Sequence, residues 1–303
     1  MNHLMSFLSR RQLLTGAAAL FALTRLPAHA ATNASAIATA SVRLQELENR
    51  VGGRLGVLAL DTGTGQSIAH RADERFPMCS TFKFLLATAI LARVDAHQTQ
   101  LEQPVKYSKA DLQEYAPIAR EHLAQGQLSV GALCAAAVQY SDNTAANLLL
   151  DMVGGPAQLT AFLRAHGDAI TRLDRNEPSL NTCIPGDPRD TTTPAAMLAT
   201  MQRILLGNDI LSAASRQQLA TWLRGNTTGT AKIKAGLPAD WQIGDKTGSG
   251  NAGAATNDIA IIWPPQRAPI LVTAYIHGNK VTPTEREQST LAEVGRLVHA
   301  SFS

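Results

Sequence analysis

The sequence is sparing with the residues on which metal and dithiol chemistry depend. Its three cysteines, Cys79, Cys134 and Cys183, are odd in number and never form a C-x-x-C pair, so a zinc ribbon and a thioredoxin-type motif are both excluded. A disulfide in an oxidising compartment stays open, but the sequence names no pairing, and structural thiols are the simpler reading. The eight histidines are scattered and form neither H-x-H nor H-E-x-x-H, which argues against a zinc hydrolase. G-x-S-x-G is missing, so a nucleophile-elbow esterase lacks its signature. No segment is apolar for long enough to span a bilayer, and there is no internal repeat. Two near-matches fail on context. Asp61-Thr62-Gly63 has the spelling of an aspartic protease, but it occurs once and in a turn, where Asp and Gly belong anyway. Gly248-x-Gly250-x-x-Gly253 is spelled like a dinucleotide fingerprint but leads from one strand into another, with no helix N-terminus for a pyrophosphate. No metal and no cofactor are expected.

Charge of one sign is also in short supply once the chain is divided. The whole sequence carries 27 basic and 24 acidic residues, a formal net charge of +3. Residues 1–30 hold Arg10, Arg11 and Arg25 and no acid, so the remainder has 24 of each. That segment reads as an export signal: a twin-arginine pattern at Ser9–Leu14, an apolar run from Leu13 to Leu23, and Ala28-His29-Ala30 as the cleavage site. Arg25 and Pro27 end the apolar run too early for a membrane anchor. The basic character thus belongs to the address label, and neither nucleic-acid binding nor membrane insertion of the mature chain, residues 31–303, is expected. The destination is the periplasm.

What is present is an ordinary globular composition, 45% hydrophobic and 17% charged, enough for a substantial core. Residues 34–51 have a helical apolar period at Val42, Leu44, Leu47 and Val51. Two strands, 54–61 and 66–71, flank the turn Thr62-Gly63-Thr64-Gly65. From Ser80 to about Asp95 the pattern is apolar on all sides, which predicts a buried helix. Residues 109–225 alternate helices and loops, and 171–192, with Pro178, Pro185 and Pro188, reads as a large surface loop. Strand patterns return at 241–247, 258–263 and 270–278, and a helix closes at about 284–300. Strands at both ends imply one sheet built from the two termini (about 31–75 and 225–303). An all-helical lobe, about 76–224, is inserted between them, and a cleft between the lobes is the natural ligand site.

Four short motifs carry chemistry. Ser80-Thr81-Phe82-Lys83 puts a hydroxyl and an amine on one helix face at i and i+3, and a desolvated lysine can help take a proton from a serine nucleophile. Alone it is weak evidence, since S-x-x-K arises by chance about once in a chain of this size. Ser141-Asp142-Asn143 sits between helical runs 129–140 and 142–152, where all three residues would also serve as caps. Glu177-Pro178-Ser179-Leu180-Asn181 offers a carboxylate and an amide four residues apart in the large loop, and Lys246-Thr247-Gly248 ends a strand.

In this order, S-x-x-K, S-D-N, E-P-x-L-N and K-T-G, the chain resembles the class A serine β-lactamases over essentially its whole mature length. The resemblance implies an α+β fold, an α/β/α sandwich around a five-stranded antiparallel sheet, acting as a monomer on small β-lactam substrates. It implies that Ser80 attacks the lactam carbonyl and that the backbone N–H groups of Ser80 and Ser249 form the oxyanion hole. Lys83 and Glu177 share removal of the Ser80 proton. Ser141, helped by Lys246, relays a proton to the leaving nitrogen, and Glu177 with Asn181 activates the hydrolytic water. Asn143 contacts the substrate's side-chain amide, Thr247, Gly248 and Ser249 line the carboxylate end, and Tyr115 is the aromatic wall at the cleft mouth. Arg175 and Asp190 clamp the loop, and Glu177–Pro178 is a candidate cis peptide.

The sequence also departs from the family pattern. No arginine occupies the places where many members hold the substrate carboxylate: Ala255 lies at one, and Lys232 stands at the other as a point charge without the bidentate fork. The stretch Gly250–Asn257 is about one residue longer than in close relatives. Cys79 precedes the nucleophile, as in members where it is bridged to a cysteine just after the K-T-G strand, but that position here is Gly250, so the feature lends no support to carbapenem turnover. Ser249-Gly250 resembles members that accept bulky oxyimino-cephalosporins. The alternative is a penicillin-binding peptidase or sensor domain, which acylates with the same groups but lacks the water-activating Glu177 and Asn181.

Overall fold

The computed structural model describes residues 28–278 and 284–303; the export signal falls on residues outside this range as far as residue 27. Helix α1 spans Ala28–Val51, and strands β1 (Arg54–Asp61) and β2 (Ser67–His70) form a hairpin behind it. Asp61 shapes that turn, its Oδ1 accepting from the Gly63 N–H at 2.9 Å, and it pairs with Arg267 at 3.0 Å, so its role is turn chemistry. Glu48 of α1 ties helix to hairpin: its carboxylate accepts from both Nε (2.6 Å) and Nη2 (2.8 Å) of Arg71 and from the Leu55 N–H.

Strand β3 (Phe76–Pro77) leads to helix α2 (Phe82–Asp95). The middle of the chain follows as β4 (Pro104–Lys106), α3 (Pro117–Glu121), β5 (Gln127–Ser129), α4 (Val130–Gln139), α5 (Asn143–Val153), α6 (Pro156–Ala165), β6 (Thr191–Thr192), α7 (Pro194–Leu206) and α8 (Ala213–Arg224). The chain then returns to the sheet through β7 (Gln242–Ser249), β8 (Ala255–Trp263) and β9 (Ile270–His277), and α9 (Thr284–Phe302) covers it. The sheet is antiparallel with strand order β2-β1-β9-β8-β7, so the first and last strands in sequence are neighbours, with Arg54 opposite His277 and Asp61 opposite Ile270.

Both faces of this sheet are covered, which explains why the stretch Ile259–Trp263 of β8 and most of β9 are apolar without alternation. On β8, Ala260 and Ile262 pack with Leu44, Leu47, Leu291 and Phe302 of α1 and α9. Ile259 and Ile261 face the other way, into the helical core with Phe82, Leu86 and Met201. Helix α2 runs through the centre of that core, every residue from Phe82 to Leu91 being buried. Each fully buried large aliphatic side chain there contributes about 2 kcal/mol. The small antiparallel pair of β4 and β5 has no counterpart in the sequence reading; its three-residue strands carry almost no pattern.

Candidate active site

The sequence predicts that Ser80 opens a helix; the structure corrects this by two residues. Cys79–Thr81 form a 3₁₀ turn and α2 proper begins at Phe82. Cys79 has φ +46°, a left-handed conformation that a regular helix cannot contain. The turn is held from the sheet: the buried Asn257 side chain of β8 donates to the carbonyls of Pro77 (2.9 Å) and Met78 (3.0 Å). Gly248 allows the approach of β7, since a Cβ there would lie 2.7 Å from the Met78 carbonyl oxygen. Ser80 is thus fixed between the end of β7 and the start of α2.

Lys83, one turn on, is fully buried. Its Nζ lies 3.0 Å from Ser80 Oγ, 2.8 Å from the Ser141 carbonyl, 2.6 Å from Asn143 Oδ1 and 2.9 Å from Glu177 Oε1. The S-D-N tripeptide serves both readings that the sequence left open. Asp142 caps α5, accepting from the Ala145 N–H at 2.9 Å, and its other oxygen accepts from the N–H groups of Ile118 and Ala119. Its neighbours turn toward Lys83. Ser141 is held at φ +58°, a strained conformation for serine that the Asp142 anchor maintains. Its hydroxyl accepts from Lys246 Nζ at 3.1 Å.

Glu177 enters from the opposite side. Ser80 Oγ donates to its Oε1 at 3.2 Å, and Asn181 Nδ2 donates to Oε2 at 2.5 Å. The Asn181 Oδ1 atom is buried with no partner in the protein. The Glu177–Pro178 bond is cis. Asn147 of α5 grips the Glu177 backbone twice, accepting from its N–H and donating to its carbonyl, both at 3.0 Å. The ends of the loop are joined by Asp190, whose carboxylate takes Arg175 Nε at 2.5 Å and the N–H groups of Asp174 and Arg175; Asp174 returns a bond to the Asp190 N–H. This closure is buried, unlike an ordinary surface ion pair.

Burial pushes Lys83 below the usual lysine range, and Glu177 opposes that shift. Burial pushes Lys246 further down, with repulsion from Lys83 and Lys232 adding to it. Lys232 is also depressed by burial; its Nζ donates to the Asn257 carbonyl at 3.1 Å, and the buried acids Asp258 and Asp245 oppose the shift. Burial raises both of these acids. Three buried amines, Lys83, Lys232 and Lys246, are thus each held below the ordinary lysine range by burial, beside the carboxylates of Glu177, Asp245 and Asp258.

A cleft of about 600 Å³ opens over these groups, with Ser80, Ser141, Asn143, Asn181, Thr247 and Ser249 on its walls. Lys232 lines it, and Tyr115 stands at its mouth, half exposed, its carbonyl accepting from the Asn143 N–H. The stretch after β7 makes a tight turn at Asn251–Gly253, with Ala252 at φ +50°. The sequence reading missed Asn147, Asn257 and Thr228, whose hydroxyl meets that of Thr247 at 2.5 Å. Asn147 had one readable signal, a polar residue four places after Asn143 on the same helix face. Among the described residues no cluster of His, Cys, Asp or Glu could hold a metal ion, and no helix is long and apolar enough to cross a membrane.

Comparison with known proteins agrees with this geometry. The family model described as the β-lactamase enzyme family matches residues 39–302. The chain is 49% identical over 260 residues to the β-lactamase Toho-1 of Escherichia coli, covering 86% of this chain and 88% of that protein. It is 50% identical to the β-lactamase L2 of Stenotrophomonas maltophilia, again over 260 residues, with 86% and 84% covered. Among solved structures, an ancestral class A β-lactamase superposes with a TM-score of 0.84 at 58% identity, covering 87% of this chain and all of that one. With the motifs, the sheet order and the cleft all of one kind, the chain belongs to the β-lactamase enzyme family and, within it, to class A.

Proposed function

We propose that this chain hydrolyses penicillins and cephalosporins, and so confers resistance to them, through an acyl-enzyme on Ser80 that Glu177 clears with water. One observation carries the reading. Ser80 Oγ lies within hydrogen-bond reach of both Lys83 and Glu177, while the second Glu177 oxygen is held by Asn181. In acylation the Ser80 proton passes to the Glu177–Lys83 pair as Oγ bonds to the lactam carbonyl carbon, and the backbone N–H groups of Ser80 and Ser249 receive the developing oxyanion. The C–N bond breaks as Ser141 gives its proton to the ring nitrogen and is resupplied by Lys83, with Lys246 steadying its oxygen. In deacylation a water held by Glu177 and the Oδ1 of Asn181 gives its proton to Glu177 and attacks the ester carbon; the bond from that carbon to Ser80 Oγ then breaks, and Oγ recovers its proton from Glu177 as the acid product leaves. Asn143 positions the substrate's amide, and Thr247, Ser249 and Lys232 receive its carboxylate.

A purified, signal-free chain should turn over nitrocefin many times per molecule, and Glu177→Ala should release one equivalent in a burst and then stall. A single equivalent from the unaltered chain would instead indicate the acylating peptidase or sensor. The exported form is a periplasmic monomer delivered by the twin-arginine route; replacing Arg10 and Arg11 with Lys should leave activity in the cytoplasm.

A further inference from the structure

The three cysteines take no part in the chemistry above, yet two of them meet beside it. Cys79 Sγ lies 3.4 Å from Cys183 Sγ across 104 residues of chain, and together with Ala254 and Ala255 they form a small cluster under the edge of the cleft. Cys183 occupies the space above Gly250, where a Cβ would lie 2.7 Å from its sulfur. The position that lacks a cysteine after β7 is thus filled by a thiol from the Glu177 loop. Cys79 is completely buried, whereas Cys183 is slightly exposed and lines a second cavity of about 270 Å³ on the far side of the loop. Four arginines line that cavity; Arg54, Arg175 and Arg189 are paired with Glu74, Asp190 and Asp187, which leaves Arg75 as the cation that gives the cavity its positive charge. Arg75 is spent on the Ile170 carbonyl and the Thr191 hydroxyl and not on an acid.

We propose that Cys183 and Cys79 form a thiol–disulfide exchange site that takes an anionic small-molecule disulfide through this cavity and closes to an intramolecular disulfide. The Cys183 sulfur attacks one sulfur of the incoming disulfide, forming a mixed disulfide and expelling one thiolate. Cys79 then attacks Cys183 Sγ and expels the second thiolate. The two cysteine protons leave on the two released thiols, and two electrons pass from the cysteines to the incoming disulfide. The order of events follows from access and acidity. The hydrogen bond between the thiols draws Cys183 below the usual thiol range, with Arg175 adding to it against burial; the same bond, and burial, push Cys79 well above it. Sulfurs in van der Waals contact need only a short further approach to reach bonding distance, about 2 Å. The product ties the residue before Ser80 to the loop two residues beyond Asn181.

The test uses the signal-free chain, reduced, desalted and treated under native conditions with glutathione disulfide or with the cationic disulfide cystamine. Intact mass after alkylation in denaturant should show loss of 2 Da and one alkylated thiol, mapped to Cys134. The anionic reagent should react at least fivefold faster at low salt, with the advantage shrinking as salt rises. The oxidised chain should melt roughly 5–10 °C higher, reversed by dithiothreitol, as closure of a loop of this length implies. Cys183→Ser should show neither the mass loss nor the shift. Retention of three alkylatable thiols, a stable mixed disulfide at Cys183, a bridge to Cys134, or equal rates with the two reagents would each overturn the proposal. Thiol count and mass do not depend on turnover, so these outcomes are independent of the catalytic reading.

Discussion

Replacing Asn147 with alanine should convert a fast hydrolase into one limited by deacylation. Asn147 touches neither nucleophile nor substrate; it fixes the peptide of Glu177 through two hydrogen bonds of 3.0 Å. Each such bond is worth about 1 kcal/mol net, so the variant forfeits about 2 kcal/mol of positioning. If that loss falls on the step in which Glu177 must hold a water, it corresponds to roughly a 30-fold fall in deacylation. Acylation, in which Ser80 and Lys83 are already in contact, should change by less than about threefold. Stopped-flow nitrocefin kinetics should therefore show a burst of one equivalent, with kcat and KM falling together. Quenched samples should contain the acyl-enzyme by mass, and the melting temperature should drop by roughly 4–8 °C. A variant that loses this stability but shows no burst and no fall in kcat would refute the reasoning, because Asn147 would then support the fold and not the placement of Glu177.

Three further outcomes follow from other parts of the structure. Lys246→Met removes a fully buried amine that is repelled by Lys83 and Lys232; calorimetry should show the melting temperature held or raised, while kcat/KM falls by about 100-fold. Gly248→Ala places a Cβ 2.7 Å from the Met78 carbonyl oxygen, so β7 must retreat from the Ser80 turn; we expect a cost of about 1–3 kcal/mol in urea unfolding and a clear fall in kcat/KM. Glu48 concerns pH. Burial raises its pKa, but the hydrogen bonds from Arg71 and Leu55 outweigh that and leave it at about 2, against 4.5 for an ordinary glutamate. A depressed carboxylate stabilises the fold above pH 4.5, and that contribution, about 1–3 kcal/mol once solvent screening of the partly exposed Arg71 is allowed for, is lost as pH falls from there through about 2. Glu48→Gln should be less stable at neutral pH and should show a flatter acid-unfolding profile across that window, as measured by urea titrations at stepped pH.

The motifs were legible because they combine residue types that are individually common in an order that is not. Ser80, Lys83, Ser141, Glu177 and Lys246 all come to one place. The sheet was legible because strand patterns at both ends of the chain, with helical patterns between, left one sheet built from the two termini as the simplest arrangement. What sequence could not supply was the set of side chains that act on backbone. Asn257 reads as an ordinary strand-end polar residue until the carbonyls of Pro77 and Met78, about 180 positions away, arrive against it. The start of α2 was misplaced because nothing local to Cys79 announces a left-handed φ; that conformation is imposed by the same distant contacts. The meeting of Cys79 and Cys183 is likewise a property of the folded loop, invisible to spacing rules.

The pairing of β1 with β9 sets a condition on when this enzyme can exist at all. Arg54 and His277 are adjacent in the sheet yet more than two hundred residues apart in the chain. Contacts of such sequence separation demand costly loop closure and make folding slow. During synthesis the helical segment bearing Ser80 and Glu177 emerges long before β7 delivers Lys246, so a nascent chain cannot assemble the site piecemeal. Activity must switch on as a single late event, after the last strands have threaded beside the first. Until then the unfinished chain exposes apolar sheet surface that the finished one buries.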